Sequence, residues 1–176
     1  NWRGHSPQKI IGLGDQDYGV NLRAAYLQGC NVVVLEAKPD KWEALENNTS
    51  EDLCIDVWWW DDPTSRLMLL LAYLITRSTK WRNAKIRLLA VDNGQDTGPT
   101  MEILQSMLDD IRIDAQPMVI EDPDADTIVQ HSADSTLVFL PFRIKANRVV
   151  DPFGGSMDEM LFLLPVVALV LAAEDI

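Results

Sequence analysis

Apolar and polar positions along this chain fall into two alternating rhythms. Short runs dense in β-branched and aliphatic residues read as strands over 9–13, 31–36, 54–60, 85–91, 116–120, 136–140 and 166–171. Between them, apolar residues recur three and four apart, which predicts helices over 17–28, 40–46, 62–78, 99–110 and 156–163. Gly29 closes the first helix as a C-cap; Asp62 and Pro63 open the third as N-cap and first helical residue. Strands and helices in alternation predict an α/β fold, with a mainly parallel sheet and crossover helices on both faces. The strands are apolar at nearly every position, as strands covered on both sides are. Segments 121–134 and 145–153 carry the least pattern and are expected to be loops.

The helix after 62 is too apolar for a crossover helix with one face in water. Leu67, Leu70, Leu71 and Leu74 make a stripe at i, i+3, i+4 and i+7, suited to a sheet. Yet Met68, Leu69, Ala72, Tyr73 and Ile75 are apolar as well, and a helix apolar all round is buried all round. Met68, Leu69, Ala72 and Tyr73 are therefore the candidate interface, facing another lobe, a second copy of the chain or a partner. A loop over 121–134 lying across that face is the plainer alternative.

Composition narrows the function classes. The chain has 176 residues with 27 Asp+Glu against 15 Lys+Arg, a formal charge of −12. One core is expected, burying about 70% of the unfolded surface. No basic patch is present to displace counterions from phosphates, which excludes a nucleic-acid partner, and the acidity opposes insertion into anionic lipid. The most apolar stretch, 161–173, is shorter than the roughly 20 residues of a membrane span and is divided by Pro165. The polar opening, Asn1 to His5, has no apolar leader run. Cys30 and Cys54 are too few for a disulfide framework and read as small buried residues in a reducing compartment.

Candidate chemistry is thin. Asp61 and Asp62, at the carboxyl end of a central strand, could hold a divalent cation, but a cap for the following helix explains them more simply. His5 and His131 lack a second ligand at metal-binding spacing, so neither a metal site nor a catalytic set is expected. Gly12 and Gly14 follow the first strand as Gly-x-Gly, with Asp17 where a third glycine would stand. Gly154, Gly155 and Ser156 precede the last helix, where free N–H groups could receive a phosphate. These five residues are the candidate nucleotide site; a turn plus a serine cap is the simpler reading of the last three.

Two family resemblances enter on specific residues. Ile55-Asp56-Val57-Trp58-Trp59-Trp60-Asp61-Asp62, followed by Leu67 to Leu74, resembles the signature of the cation–chloride cotransporters. Lys80-Trp81-Arg82, Lys85-Ile86-Arg87-Leu88 and Arg112-Ile113-Asp114 are similar to further elements of that family. The match runs from about residue 9 to 173. It implies a single α/β cytosolic domain over 1–176, the second lobe of the domain that follows the transport unit. Asn1-Trp2-Arg3 resembles the opening of the first lobe, so 1–8 would be its remnant. Implied with it are a place on the cytoplasmic side of the cell membrane, a homodimer, and contact with the transmembrane domain of the same transporter. The role would be regulation of Na+ or K+ transport with Cl−, without catalysis and without a cofactor. The second resemblance, Gly155-Ser156, a helix and Pro165-Val166-Val167, is to universal stress proteins. It implies their fold and, as the alternative function, a nucleotide-binding sensor.

Overall fold

In a computed structural model of the chain, residues 16–47, 52–92 and 97–173 are described. The strand expected over 9–13, together with Gly12, Gly14, His5 and the segment 1–8, lies outside them.

Helix α1 (Gln16–Leu27) ends where Gly29, at φ +76°, takes a left-handed turn; the N–H groups of Gly29 and Cys30 reach back to the carbonyls of Tyr26 and Ala25. β1 (Val32–Glu36), α2 (Pro39–Asn47) and β2 (Cys54–Trp59) follow. α3 (Pro63–Thr76) begins as expected, with the Asp62 side chain accepting from the Ser65 N–H. Next come β3 (Lys85–Asp92), α4 (Thr97–Ile111) and β4 (Gln116–Glu121). Two expected loops hold regular structure. Within 121–134 lies α5 (Ala125–Ser132), capped by Asp124, whose carboxylate accepts from the Thr127 N–H and hydroxyl. After β5 (Leu137–Pro141), the chain forms a hairpin, β6 (Arg143–Lys145) and β7 (Arg148–Val150), reaching into the second expected loop. Its two-residue turn, Ala146-Asn147, has positive φ at both positions, the geometry that matches strand twist. α6 (Met157–Leu163) and β8 (Val166–Leu171) are the last of the described elements.

The main sheet has the order β1-β8-β5-β2-β3-β4, parallel throughout except for β1, which runs antiparallel to β8. Each parallel step is bridged by helix, so the faces fill as predicted. On one face α2, α3 and α4 contribute Leu45, Met68, Leu69, Ala72, Leu104 and Leu108 to a core over Ile55, Val57 and Trp59. On the other, α1, α5 and α6 cover Trp58, Val138 and Leu140 with Tyr18, Ile128, Met157 and Met160. Among the described residues no helix is long and apolar enough to cross a membrane.

Candidate functional site

The sheet order reverses between β2 and β5, and α/β sheets present ligands beyond the carboxyl ends of strands at such a point. A crevice of about 100 Å³ lies there, with Trp60, Asp62, Phe142, Arg143 and Pro152 among its walls. The chain's own groups fill the surroundings. The Trp60 ring lies 6.3 Å, centroid to centroid, from both Trp58 and Phe153. Asp62 Oδ1 accepts from both the N–H and the hydroxyl of Ser65 at 2.7 Å, and the Ser65 hydroxyl in turn accepts from the Trp60 N–H. Asp61, at φ +51°, faces solvent and pairs with Arg66 at 3.2 Å. The aspartate pair thus builds a turn and a cap, and no metal-holding cluster of His, Cys, Asp or Glu occurs among the described residues.

The loop of Gly154, Gly155 and Ser156 has the shape of an anion nest, and a carboxylate of the chain is already seated in it. Asp151 is buried, and its Oδ1 accepts from the N–H groups of Phe153 and Gly155, each at 2.8 Å. Glycine is required at 155 because a Cβ there would stand 2.7 Å from Asp151 Oδ2; Gly154 supplies the turn at φ +92°. Ser156 caps α6, accepting from the Asp158 N–H. An incoming phosphate would meet both a negative charge and amides already engaged.

The tryptophan run reads differently once its alternation is laid on the sheet. Ile55, Val57 and Trp59 enter one core, while Trp58 enters the other. Asp56, completely buried on β2, stands directly across from Arg87 on β3 and holds it through two hydrogen bonds of 2.7 Å. That pairing raises the Arg87 pKa above its ordinary value. Arg87 also donates to the carbonyl of His131, and Trp58 Nε1 donates to Ser132 Oγ, so β2 and β3 together fasten the end of α5. Two quoted motifs, Ile-Asp-Val-Trp-Trp and Lys-Ile-Arg, are therefore one polar staple. Lys80 of Lys-Trp-Arg donates to the carbonyls of Leu45 and Glu46 at the end of α2. The His131 ring stands nearly perpendicular to that of Trp58, 6.3 Å from it centroid to centroid.

The cysteine expectation is corrected. Cys30 is exposed and Cys54 half-buried, both as free thiols. Cys30 follows the Gly29 turn at the surface, whereas burial, then the neighbouring Asp56 carboxylate, pushes the Cys54 thiol up.

The candidate interface residues of α3 lie mostly within the chain's own core. Met68, Leu69 and Ala72 are buried against the sheet, and Tyr73 is half-buried. The outward residues are Leu70 and Leu74, 43% and 53% exposed, which the leucine stripe had assigned to the sheet. Where every position is apolar, periodicity establishes the helix without its rotation; Ser65, bonded to Asp62 and Trp60, fixes that rotation from the capped end. Nor does 121–134 lie across α3, since α5 packs on the opposite face.

The family model of solute carrier family 12 matches residues 36–148, from the end of β1 to β7. The chain belongs to solute carrier family 12. Among solved structures, this member of the family is similar to the cytoplasmic domain of a prokaryotic cation chloride cotransporter, with 17% identity and a TM-score of 0.63. The alignment covers 95% of this chain and 61% of that one, so the chain spans about three fifths of its relative. No curated protein matches it. The shared architecture is the expected one, mixed α/β and universal-stress-protein-like. Solute carrier family 12 membership places the Asp56–Arg87 staple inside the matched segment, with the α3 surface beside it.

Proposed function

We propose that this chain is a cytoplasmic domain of a cation–chloride cotransporter and the second of two lobes in that domain. It regulates carriage of Na+ or K+ with Cl− and catalyses no reaction itself. The carrying observation is the family match through the tryptophan signature, whose side chains form a scaffold. The filled loop at Asp151 argues against the alternative, a nucleotide-binding sensor using Gly154, Gly155 and Ser156.

The domain works as a homodimer on the cytoplasmic side of the membrane, in contact with the transmembrane unit of the same transporter. Edge strand β1 suits the dimer contact, with Val33 and Leu35 about half exposed there. Such a domain biases transport only by contacting the transporter's conformations unequally. The test is chloride-dependent cation uptake into vesicles carrying the intact transporter, with this domain present or deleted. A severalfold change in rate at equal transporter abundance is expected, whereas an unchanged rate would sink the regulatory role.

A further inference from the structure

α3 and α4 lie side by side on one sheet face, each returning the chain between parallel strands, so the two run in the same direction. Between them is a groove of about 590 Å³, floored by Trp59 and Leu69. Leu70 and Tyr73 form its α3 wall, and Met107 and Ile111 its α4 wall. Leu70 and Ile111 are each nearly half exposed, an apolar surface open to solvent.

Among the described residues, the only charged side chains lining the groove are two arginines. Arg66 sits in the first turn of α3, toward the carboxyl ends of the strands. Arg112 follows the last residue of α4, at the opposite end. On an acidic chain, a groove with cations at both ends is selective for its complement. Arg66 pairs with Asp61, in a solvent-exposed pair that is readily exchanged, and the nearby Asp109 accepts from Gln105 on its own helix.

Arg112 carries a second signal. It occupies the left-handed position that ends α4, at φ +56°, with its N–H donated to Asp109 and that of Ile113 to Leu108. Glycine is the usual residue at such a C-cap because a Cβ is strained there. The strain is retained by a side chain that lines the groove.

We propose that the α3–α4 groove receives an amphipathic helix of a partner segment, apolar along one face and carrying a carboxylate at each end of that face. The arginines stand toward opposite ends of the groove, so the two carboxylates belong at opposite ends of the apolar face. A second copy seated by two-fold symmetry on this groove would set arginine against arginine, so self-association there is disfavoured. This inference stands on the groove alone and is independent of the transport reading.

The test uses two labelled, end-blocked peptides of about 16 residues, roughly the length of the helices that wall the groove. Both have leucines along one helical face; one carries Glu at the two end positions, the other Lys. Fluorescence anisotropy against the whole chain should show the Glu peptide binding at least about tenfold more tightly at low salt, with the gap narrowing as salt rises. Arg112→Glu, which leaves one cation and one anion at the two ends, should erase the preference, and Leu70→Asp should abolish binding with the circular dichroism spectrum unchanged. Arg112→Gly should raise the denaturation midpoint while weakening the Glu peptide, a split that a purely structural arginine would not give. Equal affinity for both peptides, no binding of the Glu peptide, or a dimer that Leu70→Asp dissociates would each overturn the proposal.

Discussion

Asp56 is the residue on which most of the signature depends. Its carboxylate is wholly buried and its charge is met by the Arg87 fork, so removing either partner strands the other. Asp56→Ala should cost about 3–5 kcal/mol in urea unfolding, and Asp56→Ala with Arg87→Met less than the single change. Glu36 acts in the opposite sense. Partial burial, and then the nearby Asp158, raise its pKa above 4.5. The folded chain holds that proton more tightly than the unfolded chain, so stability falls as pH rises through this range and the cost is complete above the raised value. Glu36→Gln should therefore be more stable than the parent at neutral pH, with the advantage vanishing below about pH 4. Denaturant midpoints taken across that range check it. Both Asp56 and Arg87 stood in recognisable motifs, but their partnership depends on β2–β3 register, which neither motif contains.

At the scale of elements, caps were legible and rotations were not. Asp62, Pro63 and Gly29 announced helix ends because each answers a local need of the backbone. Asp124 with Thr127 was an equally local signal for α5, hidden because that helix has only two buried residues to show a period. The rotation of α3 needed the Ser65 contact to settle it. Gly19 illustrates how context reverses a propensity rule. Glycine within a helix is ordinarily improved by alanine, yet a Cβ at 19 would overlap the carbonyl of Asn147 in the β6–β7 turn. The neighbouring Arg23 donates to the Asn147 side chain, tying α1 to that turn. Gly19→Ala should lose about 1–3 kcal/mol, read from the thermal midpoint, because α1 must lift away. Arg112→Gly should gain about 1 kcal/mol through relief at the end of α4.

For the whole molecule, alternation alone revealed the layered α/β plan, and the tryptophan signature revealed the family. The sheet order was not legible, since it depends on which apolar strands meet across long separations. The state of the switch-point loop was hidden too: Gly154, Gly155 and Ser156 offered an anion site beside the simpler turn and cap, and nothing in that pattern showed Asp151 seated there. ATP with Mg²⁺ at millimolar concentration should accordingly give no calorimetric heat. Val33→Lys with Leu35→Lys should halve the light-scattering mass of the proposed dimer. The position of β8 carries a further consequence, for synthesis. Of the described strands β8 comes last in sequence, yet it is an interior one, inserted between β1 and β5, so that Val32 and Leu137 both await residues 166–171. While those residues remain in the ribosome tunnel, the edges of β1 and β5 that β8 joins have no neighbour among the described strands. Assembly of this sheet is thus held until β8 has been made, and a chain terminated before β8 would expose two strand edges for aggregation or degradation.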